Sequence, residues 1–167
     1  DMEIYFLFCY NDKSEMVFYD DTERSRNMFD LDTCVAFITN KASKMMADAF
    51  NERLMPLGIT RVQWIALYYL GKYEGINQKE LAEKMNIKSS TVARLLDRME
   101  KDGLVKRQEN PEDRRVTKIR LTEKGKELRE KFLPEGEKMS EIFSRGLTDE
   151  ELEVFTRVLK KMVDNIS

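Results

Sequence analysis

Between Leu81 and Gly103 the apolar residues fall into two short sets at helical spacing, with a short turn between them. Leu81, Ala82 and Met85 form the first set; Val92, Leu95, Leu96 and Met99 form the second. The separator is Asn86-Ile87-Lys88. Asn tolerates the left-handed backbone that closes a helix, so Asn86 predicts a sharp turn. Ala82 is small where two crossed helices would touch most closely, and Ile87 is placed to plug the angle between them. This spacing constrains the chain to a helix-turn-helix.

The second helix turns its apolar side inward. Ser89, Ser90, Thr91, Arg94 and Arg98 are left on the open side, with Lys88 at its start. Hydroxyls near a helix start bind phosphate or base edges, and an Arg one turn later reaches a guanine in bidentate fashion. Gly103 ends the helix. Leu104–Arg107 and Val116–Leu121 then read as two strands around a polar tip, Asn110-Pro111-Glu112-Asp113-Arg114-Arg115. The motif is a winged helix, whose second helix is expected to enter the major groove of double-stranded DNA.

Charge agrees with that expectation. From Lys88 to Leu121 there are ten basic residues against six acidic ones, an excess of four positive charges in a chain of net charge −2. A basic patch on an otherwise acidic protein is the footprint expected of phosphate contact. Composition narrows the other classes. His is absent and neither Cys9 nor Cys34 belongs to a Cys-x-x-Cys pair, which excludes a His-based triad and a Cys/His zinc site. No glycine-rich phosphate loop is present, so neither an enzyme nor a cofactor is expected. The longest apolar run, Ile4 to Tyr10, is too short to span a membrane and lacks the basic flank of a signal peptide. With two cysteines and no export signal, a reducing cytoplasm is the expected setting.

The remaining segments frame the motif. Residues 1–30 read as an N-terminal extension whose role is not legible; a hairpin is the reading of Glu3–Tyr10 and Met16–Asp20. An opening Asp in place of Met suggests a trimmed or partial start. Residues 1–32 carry nine acids against three bases and are expected to avoid DNA. Leu31–Met55 reads as a long helix capped by Asp30 or Asp32 and stopped by Pro56-Leu57-Gly58. Thr60 and Gln63 form a capping box for a helix reaching about Tyr73, apolar nearly all round and expected at the buried centre. Asn77 and Glu80 form a second capping pair. After the wing, Thr122 opens a helix that Pro134 is expected to bend or break. Thr148 to Glu151 caps a last helix, in which Leu152, Phe155, Leu159, Met162, Val163 and Ile166 form an apolar stripe that must be covered. Such an all-helical extension on one winged helix suggests a dimer, whose two-fold symmetry implies a palindromic site.

In its recognition helix Ser89–Val105 and in the wing segments Asp113-Arg114-Arg115 and Leu121–Gly125, the chain resembles the MarR family of transcriptional regulators over Leu31 to Ile166. The resemblance implies a mainly α fold: a winged helix-turn-helix at about 60–122, a small β-hairpin wing, and long dimerisation helices at about 31–55 and 122–166. It implies a homodimeric repressor on a pseudo-palindromic operator, and no membrane. Arg115 would enter the minor groove, which attracts guanidinium groups where it is narrow, and Asp113 can hold it in a bidentate pair. The family further implies release by a small amphipathic or aromatic effector, for which Met45, Met46, Phe50, Trp64 and Tyr68 are the candidate lining. Some members sense peroxides through a Cys near the start of the first long helix. Cys34 lies there, but two residues from the usual place at Ala36, about 200° around a helix. A redox-sensing regulator using Cys34 is thus one alternative, and a winged helix serving protein–protein contact is another.

Overall fold

The computed structural model describes residues 7–10, 16–19, 29–109 and 117–166. The chain divides into two compact units, Asp1–Ala49 and Phe50–Ser167. In the first, β1 (Leu7–Tyr10) pairs antiparallel with β2 (Met16–Tyr19), Leu7 opposite Tyr19 and Tyr10 opposite Met16. The hairpin read from the sequence is therefore present.

Helix α1 spans Val35–Leu54 and contributes residues to both units. It starts four residues later than the expected Leu31. Asp30 Oδ1 accepts the Asp32 N–H at 3.0 Å, and Thr33 Oγ1 donates to the Asp30 carbonyl at 3.1 Å. These local bonds offer the backbone a turn in place of a helix. Helical bonding begins where Ile38 N–H reaches the Cys34 carbonyl at 2.9 Å.

In the second unit α1 ends in a 3-10 turn, Met55–Leu57. Then follow α2 (Arg61–Lys72), α3 (Gln78–Met85), α4 (Ser89–Lys101), β3 (Val105–Glu109), β4 (Thr117–Leu121), α5 (Glu123–Phe143) and α6 (Asp149–Asp164). The expected capping boxes at Thr60/Gln63, Asn77/Glu80 and Thr148/Glu151 all form. Each satisfies N–H groups that a helix start leaves unpaired. Asn86 adopts φ 51°, and Gly103, at φ 71°, closes α4 where an L side chain would be strained.

α2 sits at the centre: no residue from Thr60 to Leu70 is exposed, and Ala66, Leu67 and Leu70 are buried. Around it close Leu81 and Ala82 of α3, Val92, Leu96 and Met99 of α4, Ile119 of β4 and Phe132 of α5. β3 and β4 pair antiparallel from Val105–Leu121 to Glu109–Thr117, and Ile119 N–H donates to the Ile76 carbonyl at 2.9 Å. This anchors the wing beside the start of α3. Leu104, expected in the strand, is instead buried at the end of α4, its N–H bonded to the Met99 carbonyl at 2.8 Å. Val116 and the tip lie outside the described residues.

Pro134 does not break α5, which continues to Phe143. The sequence around it instead shapes a seat for Trp64. Trp64 Nε1 donates to the Phe132 carbonyl at 2.7 Å, and a Cβ at Gly136 would overlap the indole ring. Among the described residues no helix is long and apolar enough to cross a membrane.

Candidate nucleic-acid interface

Helix α4 divides sharply between two sides. Val92, Leu95, Leu96 and Met99 are at most 2% exposed, whereas Lys88, Ser89, Ser90, Thr91, Arg94 and Arg98 are all exposed. Four buried residues at this spacing hold the helix against the core and orient the opposite side outward. The six described candidates of the sequence reading therefore share one open face.

At the start of α4 no side chain caps the first N–H groups, because the residue there is Lys88. An uncapped helix start with an adjacent ammonium suits an anion. Gln78, from the first turn of α3, donates from Nε2 to Ser89 Oγ at 3.2 Å and less closely to the Ser89 carbonyl at 3.4 Å. Ser89 Oγ accepts in this contact, so its own proton remains available. Arg98 Nε donates to the Arg94 carbonyl at 3.3 Å, laying that side chain along the helix. No ion pair among the described residues engages Arg94 or Arg98.

The basic patch counted in the sequence separates into two groups. Arg107 and Arg120 are engaged by the protein's own carboxylates. Arg107 donates to Asp97 Oδ1 at 2.5 Å and to Glu100, both on α4, and Arg120 pairs with Glu74. Burial alone would lower the Arg107 guanidinium, but its hydrogen bonds to Asp97 and Glu100 outweigh this and raise it above its ordinary value. Strand parity carried the signal: Arg107 is two residues from buried Val105 and so lies on the same side of β3. Asp113, Arg114 and Arg115 fall outside the described residues.

A separate cavity of about 720 Å³ opens between α2, α3 and α5. Trp64, Ile65, Tyr68 and Tyr69 form one wall, Lys84 and Met85 a second, and Leu133, Gly136, Glu137 and Ser140 a third. Trp64 and Tyr68, both expected at an effector site, stack at 5.8 Å between ring centroids. Phe50 meets Trp64 edge-on at 5.1 Å, outside the lining. Met45 and Met46 belong to the first unit and are exposed. The sequence reading missed the α3 and α5 walls, which only chain reversal brings to α2.

Comparison with known proteins agrees with this geometry. The family model that matches, over residues 59–117, is that of the MarR family. The uncharacterized HTH-type transcriptional regulator YdgJ of Bacillus subtilis (strain 168) is 34% identical over 110 residues, 66% of this chain and 67% of that protein. The organic hydroperoxide resistance transcriptional regulator of the same organism is 35% identical over 108 residues, 63% of this chain and 74% of that protein. Among solved structures, that of the S. aureus MepR–DNA complex matches with a TM-score of 0.73 at 27% identity, covering 79% of this chain and 98% of that one.

Proposed function

The chain belongs to the MarR family of transcriptional regulators, and from that premise we propose that it is a homodimeric repressor that binds double-stranded DNA at a pseudo-palindromic operator and lets go when a small amphipathic or aromatic molecule binds. The observation that carries the DNA reading is the open face of α4, where Lys88, Ser89, Ser90, Thr91, Arg94 and Arg98 are exposed above a fully buried stripe. Hydroxyls at the helix start contact phosphate, and Arg94, one turn on, reaches into the major groove. Asp113, Arg114 and Arg115 are the wing residues expected from the sequence to join this contact, and the likeness to a structure solved on DNA supports the DNA reading.

The effector reading rests on the cavity beside α3. A molecule seated against Trp64, Tyr68, Lys84 and Met85 would touch the first helix of the helix-turn-helix itself. Aromatic and thioether walls suit a planar apolar body.

The test is selection of bound fragments from genomic DNA followed by affinity measurement. Arg94→Ala should cost about 1–3 kcal/mol and blur base preference. Arg115→Ala should weaken binding most at A·T-rich flanks. If neither change alters binding to any promoter DNA, the alternative of a winged helix serving protein–protein contact gains. The similarity to an organic hydroperoxide resistance regulator supports a second reading, in which Cys34 senses oxidant. Operator release by hydroperoxide that is identical in Cys34→Ser would remove it.

A further inference from the structure

We propose that Arg107 is a positioning residue for DNA binding: by holding Asp97 and Glu100, it keeps the DNA-facing cations of α4 unpaired. This rests on the DNA-binding reading above and extends it to a residue that faces the protein.

Helix α4 carries its own internal competitors. Asp97 lies three residues after Arg94 and four before Lys101, and Glu100 is three residues after Asp97. On a helix surface those separations bring side chains into contact. Left alone, Asp97 would pair with Arg94 or Lys101, and both carboxylates would present negative charge beside a phosphate backbone. In the structure Asp97 pairs with neither cation, and both carboxylates are bonded to Arg107 instead. Arg107 reaches across from β3 with three donors: its backbone N–H meets Glu100 Oε1 at 3.1 Å, one guanidinium nitrogen meets the second Glu100 oxygen, and another meets Asp97 Oδ1 at 2.5 Å. The Arg107 side chain is 29% exposed, against 65% for Asp97 and 39% for Glu100, so the cation sits deeper than the two carboxylates it neutralises.

The planar fork explains why Arg stands there. Two carboxylates on successive positions of one helix face need two separated donors, which a guanidinium presents and a single ammonium does not. Among the described residues, Arg94 and Lys101 make no ion pair, which is the state the clasp preserves. Arg107 thus contributes to affinity without touching DNA.

The experiment uses the full chain and a duplex selected from its genome, with affinity measured across a salt series for four variants. Arg107→Gln is expected to bind about tenfold more weakly, with a shallower salt dependence by about one phosphate contact. Adding Asp97→Asn and Glu100→Gln to Arg107→Gln is expected to restore both the affinity and the salt slope, because the two carboxylates that Arg107 held can then no longer compete. Asp97→Asn with Glu100→Gln in the presence of Arg107 is expected to bind at least as tightly as the parent. Arg107→Lys should fall between the parent and Arg107→Gln. A purely structural Arg107 would give a triple variant no tighter than Arg107→Gln, and that result overturns the inference. A double carboxylate variant that binds severalfold more weakly than the parent overturns it too, and decides the matter even if Arg107→Gln does not fold. A parent protein that binds no duplex overturns the DNA reading itself.

Discussion

Trp64, the only tryptophan of the chain, joins α2 to α5 with one hydrogen bond to the Phe132 carbonyl and with its ring laid over Gly136. The missing side chain at position 136 is what admits the indole so close to a helix backbone. Gly136→Ala places a methyl group where the ring now lies, and helix α5 cannot yield without moving Phe132, which is buried. We expect a loss of about 1–3 kcal/mol, the usual range for forcing extra volume into a packed site. Urea unfolding followed by Trp64 fluorescence measures it, and unchanged stability would show that the ring has room to shift. At this scale the sequence was informative where a residue acts on its own backbone, as Asn86 and Gly103 do. It was silent about Gly136, whose role depends on a partner 72 residues away in the chain.

Between elements, the end of α1 is tied to α5 by Arg53, which donates to Glu135 at 2.7 Å, and Lys138 reaches the same carboxylate at 2.7 Å. The Lys138 hydrogen bond, followed by that of Arg53, holds the Glu135 carboxyl below its ordinary range. Its charged form is favoured by folding, so the tie stabilises the protein above the ordinary carboxylate value of about 4.3 and is lost as pH falls through the lower folded value. Glu135→Gln should therefore lower the urea midpoint at pH 7 and narrow its difference from parent at pH 3. An equal deficit at both pH values would assign the loss to packing. The helices themselves were legible because their start signals are local: Thr60, Asn77, Thr122 and Thr148 each cap a helix through a bond to a residue three positions on. The start of α1 was misplaced for an equally local reason, the Asp30 turn, in which a candidate cap bonds too early. At Pro134 the expected break does not occur, and α5 runs on to Phe143.

For the whole molecule, the terminal helix poses the main energetic problem. No residue of α6 is buried, and Phe155, Val158 and Val163 are 56%, 46% and 58% exposed on one amphipathic helix. Ile142, Phe143 and Leu147, just before it, are also exposed. A contiguous apolar surface of this kind marks an association site more often than a free surface. On the proposed dimer, Phe155→Glu combined with Val158→Glu should yield a monomer in sedimentation equilibrium. Operator affinity should fall with it, since two recognition helices are no longer linked to reach half-sites one turn apart. A doubly substituted protein that stays dimeric would place the junction elsewhere.

What the sequence determined by itself is the set of helices, the caps of α2, α3, α5 and α6, the tight turn at Asn86 and the outward chemistry of α4. All of these depend on residues within about four positions of one another, where backbone geometry alone dictates who meets whom. What the tertiary structure decided is which charges remain available and which walls enclose space. Arg94 and Arg107 both count towards the basic patch in the sequence, yet one faces outward from α4 and the other is held by Asp97 and Glu100. The cavity at Trp64 exists only because α5 returns across α2. Such pairings follow from how the chain doubles back to bury its core; local spacing gives the side of β3 on which Arg107 lies, but not its partners.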